Sequence, residues 1–225
     1  VRTRTTVLLG VGAAVVVLGG AAVAFGPSLY ASWAEDRADA VPTLDATAGS
    51  TLDPAGLDGT WDVTTGSFAG YRLDEILRGE DVTVTGRTQD VTGSVTLDGG
   101  SLTAAEVVVD MTTVATDAAP RDEYFRSGDA LNTAEFPTAT FVLTEPVEVP
   151  EAAGAVELTG DLTIHGVTQP VTVDAQIGAA GDDVQVVGEV PVTFADYDVV
   201  APSLGFVEVE ETGSVEFSLA LTPAS

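Results

Sequence analysis

Very few residues in this chain are equipped for catalysis. His165 is the single histidine, there is no cysteine, and 35 Asp and Glu face only 8 basic residues, all of them arginine. A Ser/His/Asp triad would have to use His165, yet the surrounding Leu162-Thr163-Ile164-His165-Gly166-Val167-Thr168 reads as the tip of a hairpin, and no Gly-x-Ser-x-Gly elbow accompanies it. A histidine tying a turn together is the simpler expectation. The missing thiols remove disulfide frameworks, thiolate zinc sites, a cysteine nucleophile and a cysteine for lipid attachment. The carboxylates show no EF-hand spacing, and none of the glycine clusters leads from a strand into a helix as a phosphate loop does. No catalytic residue, metal ligand or cofactor is expected, and the chain reads as a non-enzyme.

Charge narrows the partners. A formal net charge of -27 excludes nucleic-acid binding through phosphate contacts, which need clustered cations. Hydrophobic residues still make up 45% of the chain, so the acidity belongs on the surface of something with a core. One local concentration stands out: Arg121-Asp122-Glu123-Tyr124-Phe125-Arg126-Ser127, followed by Leu131 and by Phe136-Pro137-Thr138-Ala139-Thr140-Phe141. Two arginines and four aromatics fall close together here. They read either as the lid of a cavity with arginines near its mouth, or as helix-capping groups and an aromatic plug.

The elements that must position these residues divide into three stretches. Residues 1–34 carry an apolar run, Val7–Phe25, of 19 residues without a charge. At about 1.5 Å per residue it matches the ~30 Å hydrocarbon core as a single transmembrane helix. Arg2 and Arg4 precede it, and Tyr30 and Trp33 follow, which places the N-terminus in the cytoplasm and the rest outside. A cleaved signal peptide ending near Ala22-Val23-Ala24, with a secreted or periplasmic product, is the rival reading. Every carboxylate lies beyond the run, so the exported part holds six arginines against 35 acids, a net -29. Residues 35–58 lack periodicity and read as a flexible acidic linker. Residues 59–225 form the domain.

Within that domain apolar and polar residues alternate, as in strands with one buried face. The runs are Thr60–Thr64, Val82–Gln89, Val91–Leu97, Ala105–Thr113, Ala139–Val147, Val156–Ile164, Val171–Ile177, Val184–Phe194 and Val215–Leu221. Tight turns at Asp98-Gly99-Gly100, His165-Gly166 and Ala180-Gly181-Asp182 favour an antiparallel meander. The expected fold is all-β: an eight-stranded antiparallel lipocalin-like barrel, with a two-sheet sandwich as the competitor. Short helices are expected at Arg121–Ser127 and at Leu73–Leu77.

At two places the sequence resembles the YceI family of exported, lipocalin-like bacterial proteins. The resemblance rests on Arg121-Asp122 leading through Leu131 to Phe136–Phe141, and on Gly160-Asp161-Leu162-Thr163-Ile164-His165-Gly166-Val167-Thr168-Gln169-Pro170-Val171. Tyr124 departs from the histidine common in the family pattern. The resemblance covers roughly residues 60–222. It implies a barrel around an elongated apolar pore that takes isoprenoid lipids, such as polyprenyl carriers or isoprenoid quinones, in the cell envelope. Large residues on inward parity or near the lid are the lining candidates: Tyr71, Arg121, Phe125, Leu131, Phe136, Phe141, Ile164, Phe194 and Phe206. Expected partners are an isoprenoid lipid or other long apolar ligand and the membrane through the N-terminal helix, with a homodimer left open. The competing function is a non-catalytic envelope or stress-associated module whose barrel is filled by its own side chains.

Overall fold

The structure is a computed structural model, and it describes residues 38–45, 50–77, 79–180, 183–203 and 207–224. The apolar run Val7–Phe25 and Phe206 lie outside the described residues. Among those described, no helix is long and apolar enough to cross a membrane.

The described residues form eleven strands: β1 Gly59–Val63, β2 Phe68–Leu77, β3 Glu80–Thr88, β4 Val91–Asp98, β5 Ser101–Asp110, β6 Thr138–Leu143, β7 Val147–Glu148, β8 Gly154–Ile164, β9 Val167–Ala180, β10 Asp183–Thr193 and β11 Val207–Pro223. All pairings between them are antiparallel, and the order β1-β4-β5-β6-β8-β9-β10-β11 returns to β1. β1 and β2 both run along β11, and β4 and β3 pair with them in turn, so each couple acts as one bent strand. The break between β1 and β2 stays in the ladder, because Thr64 donates to the Ala220 carbonyl and the buried Ser67 hydroxyl accepts the Ala220 N–H at 2.9 Å. Counted this way, eight strands close a barrel, and the sandwich alternative does not hold. Closure removes most of the edges an open sheet would expose; among the described residues β3 keeps β2 as its one strand partner, with a single bridge from Arg87 to Ala115 on its other side.

Alternation decides most of the strands, but Leu73–Leu77 corrects an expectation. It is not a helix: it forms the end of β2, hydrogen-bonded between β3 and β11, with Leu73 opposite both Val84 and Gly213. Ladder bonds on both sides override a local helical pattern. Helical structure instead appears as α1, Ala119–Arg126, with Pro120 in its first turn and a buried Asp122. Asp122 does not cap the helix in the usual way. Its carboxylate accepts the Thr116 N–H at 2.8 Å and the Thr116 hydroxyl at 2.7 Å, fixing the approach to α1.

The β8–β9 turn follows from its sequence. His165 and Gly166 take φ of 52° and 75°, the left-handed pair that a two-residue hairpin needs. The His165 ring packs edge-on against Phe136 at 4.8 Å and places Nδ1 3.2 Å from the Tyr197 carbonyl. The lone histidine thus ties this turn to the segment after β10.

One end of the barrel is closed by Trp61, Leu97, Val149 and Leu52, which is only 4% exposed. The Trp61 indole donates to the Leu57 carbonyl at 2.8 Å. Leu52 comes from the stretch expected as linker, where Thr51 also bridges to Ala152. Residues 38–45 lie against the outer wall. There Glu216, 0% exposed, accepts from Arg72 Nε and from Arg87 Nη2, while these arginines also donate to the Asp39 and Ala40 carbonyls. The Asp39 N–H donates to Thr85 Oγ1 at 2.9 Å, and the Asp45 N–H to Gln185 Oε1 at 2.8 Å.

Removing Glu216 strands two guanidinium groups beneath a covering segment. Glu216→Ala should lower unfolding free energy by about 3–5 kcal/mol, as expected when one partner of a buried charge cluster is lost. Urea denaturation measures it, and a loss below about 1 kcal/mol would place the cluster among ordinary surface pairs.

Candidate functional site: an apolar cavity with one polar pole

A cavity of about 820 Å³ occupies the barrel interior. This lies in the range of roughly 300–1,000 Å³ usual for small-molecule sites. The barrel is therefore not filled by its own side chains, which was the premise of the competing function. Inward positions of successive strands line the cavity: Val84, Ala105 and Val107, Leu158 and Leu162, Val173, Val186 and Val190, then Val215, Phe217 and Leu219. The wall beside β3 is continued by the segment between β5 and β6. Arg87 and Ala115 exchange N–H···O bonds of 2.9 and 3.0 Å, and α1 turns Pro120, Arg121, Tyr124 and Phe125 toward the lumen.

Of the expected lining residues, the structure brings Tyr71, Arg121, Phe125, Leu131, Phe141, Ile164 and Phe194 around this one cavity. Phe136 is not among its lining, because it packs on His165 at the β8–β9 turn instead. Glu75, Met111 and the apolar stretch 199–202 also line the cavity and are absent from the expected set. Glu75 was hidden by the helical expectation. In β2 it shares the inward parity of Tyr71, Leu73 and Leu77, and that alternation is the signal that marks it.

The aromatic rings leave room because glycine lies beneath them. Tyr71 faces Gly86 directly across the β2–β3 pair, and Phe217 faces Gly188 across β10–β11. Phe141 lies over Gly160, and Phe194 approaches Gly213. At Gly86, Gly160 and Gly188 an added Cβ would collide with the ring. With no Cβ below them, these rings lie along the wall instead of projecting across the lumen.

Polar groups gather at one part of the lining. Tyr71 stacks on Phe125, with ring centroids 5.2 Å apart and planes 13° from parallel. Burial pushes the Tyr71 phenol well above its ordinary value, with nearby Arg121 opposing and the carboxylates of Asp122, Glu75 and Asp117 adding to the rise. The phenol is neutral throughout the physiological range. Arg121 spans two carboxylates, Nη2 lying 3.6 Å from Glu75 Oε1 and Nη1 2.8 Å from Asp117 Oδ1. Burial also raises the Glu75 carboxyl above its usual 4.5, a rise that Arg121 partly opposes.

A closed antiparallel barrel with an apolar lumen and a small polar pole is the architecture of lipocalin-like barrel proteins. The YceI-like domain matches residues 61–221, and the chain belongs to that family. A UPF0312 protein of Vibrio parahaemolyticus is 34% identical over 136 residues, covering 56% of this chain and 71% of the relative. Protein YceI of Escherichia coli O157:H7 is 41% identical over 100 residues, 44% of this chain and 51% of the relative. The chain thus spans about half the length of that relative. Among solved structures, a polyisoprenoid binding domain from Saccharophagus degradans implicated in plant cell wall breakdown aligns with a TM-score of 0.59 and 20% identity, over 73% of this chain and 98% of that one. BcnA of Burkholderia cenocepacia aligns with a TM-score of 0.59 and 19% identity, over 71% and 99%. At these identities the likeness is one of fold.

Glu75 carries a measurable cost. Because its folded-state pKa is raised, the penalty is absent below the ordinary carboxyl range and grows as pH rises through the raised value. Glu75→Gln should therefore melt a few degrees above the wild type at pH 7.5, with the difference closing near pH 4. Calorimetry at the two pH values checks this, and a lower melting temperature at pH 7.5 would show the Arg121 pair to be net stabilising.

Proposed function

We propose that this protein is an exported lipid-binding barrel that holds an isoprenoid chain, of polyprenyl or quinone type, in its cavity. The observation that carries this reading is the apolar lumen of about 820 Å³, kept open by rings laid against glycine. The related fold of the Saccharophagus polyisoprenoid binding domain supports it. Magnitudes agree with a purely apolar grip. At about 0.8 kcal/mol per buried CH₂-sized group, one five-carbon unit contributes roughly 4 kcal/mol. Micromolar affinity requires about 8 kcal/mol net. Association costs a further 4–15 kcal/mol or so, which about three to six buried units would offset. The role is binding, with no reaction assigned to any residue.

Native mass spectrometry of the full chain purified from a bacterial host should show a co-purifying prenyl lipid, or uptake of an added polyprenol. Phe141→Arg and Phe194→Arg each set a charge into the lumen and should lower uptake at least tenfold in a folded protein. An empty wild type that takes up neither polyprenol nor quinone overturns the proposal.

The tethered form of this reading rests on Val7–Phe25 as an anchor that keeps the barrel beside its lipid supply. Fractionation of producing cells tests it. The anchored protein sediments with membranes, whereas a soluble mature chain beginning near Phe25 replaces the anchor by a cleaved signal.

A further inference from the structure

The polar pole makes the cavity selective at one end. We propose that Tyr71, Glu75 and Arg121 select a ligand whose head is a neutral oxygen group, hydroxyl or carbonyl, and disfavour one ending in phosphate; this rests on the lipid-carrying reading above.

Three observations converge. First, Tyr71 and Glu75 share the inward parity of β2, two positions either side of Leu73, and Arg121 reaches Glu75 from α1, so the three meet in a lining that is otherwise largely apolar. Second, the Tyr71 hydroxyl has no hydrogen-bond partner among the described residues, although the ring is held by Phe125 on one face and by the absence of a Cβ at Gly86 on the other. A phenol held in this way presents a donor to the cavity, and an acceptor oxygen on a ligand would satisfy it. Third, among the described residues the charge at this pole is negative. Arg121 is shared between Glu75 and Asp117, and the buried Asp122 lies close by. The other described arginines are turned to structural work. Arg72 and Arg87 hold Glu216 on the outer wall, and Arg126 donates to the Val114 carbonyl at 2.9 Å.

A phosphate entering this pole would leave water for an apolar lumen and, among the described residues, meet more carboxylate than guanidinium, and like-charge contact of that kind is unfavourable. A hydroxyl or carbonyl carries no such penalty. It can accept from Tyr71, and a hydroxyl can also donate to the Glu75 carboxylate. Sites built to bond a particular oxygen discriminate through the groups they would otherwise leave unpaired.

The test compares solanesol, solanesyl monophosphate and the ubiquinone bearing the same prenyl chain, each titrated against the full-length protein. Solanesol and the quinone should bind at least tenfold more tightly than the monophosphate. Glu75→Gln, which removes one carboxylate from Arg121, should narrow that gap severalfold by improving phosphate binding, and Tyr71→Phe should weaken only the two neutral ligands. Circular dichroism confirms that both variants are folded. Equal or preferential binding of the monophosphate by the wild type overturns the inference and leaves lipid carriage standing, as does a ratio that neither substitution moves. Failure of all three ligands to bind overturns both.

Discussion

The interior of an eight-stranded barrel is just wide enough for its own side chains to fill it. Whether such a barrel is a packed core or a container is therefore decided by how its largest inward residues lie. Here Tyr71, Phe141 and Phe217 lie flat because Gly86, Gly160 and Gly188 supply the missing volume beneath them. The remaining inward positions are chiefly Val, Ala and Leu, which are too short to meet across the lumen. The hollow is thus a property of paired positions on neighbouring strands. Exchanging glycine for alanine at one of them would move a ring and change the lumen with it, although no ligand contact had been altered.

Arginine is scarce, and its placement shows what the fold has to hold. Two of the described arginines converge on the fully buried Glu216 and, through the same guanidinium groups, bind the carbonyls of residues 39 and 40. Gly70, the cross-strand neighbour of both Glu216 and Arg87, leaves space for that convergence. The other two lie on α1, one anchoring it to Val114 and one reaching Glu75 in the lumen. In a chain of net charge -27 these cations are not spent on a general surface balance. Arg72, Arg87 and Arg121 join segments that cross the strands to the strands themselves, and Arg126 ties α1 to the segment that leads into it.

Much of this fold is legible in the residues, and the exceptions have physical causes. Alternation marked nearly every strand, because most strands have one face in the lumen and one outside. It failed at Phe68–Leu77, where the inward series Tyr71, Leu73, Glu75, Leu77 includes a carboxylate and the outward series includes the exposed Ile76. A polar residue on the apolar parity and an apolar one on the polar parity cancel the period-two signal. The glycine positions were visible but mute, since which ring covers which glycine depends on register between strands. The stretch 50–57 was unreadable for another reason: a plug has no periodicity, so Leu52 and Leu57 resembled stray apolar residues in a linker.

β2 carries polar groups on both of its faces. Its inward face carries Tyr71 and Glu75, and its outward face carries Arg72 in the Glu216 cluster, with Asp39 bound to Thr85 and Arg72 at the same level. Strain or cost at a local position persists only when the surroundings over-determine it. A buried carboxylate facing an apolar lumen is such a cost. It is borne on a strand bonded to ladder partners on both sides, whose outward Arg72 joins the Glu216 cluster beneath Asp39. One strand thus carries the polar pole on its inward face and part of the buried ion cluster on its outward face, and the same carboxylate that defeats the sequence pattern marks where the cavity departs from a plain apolar core.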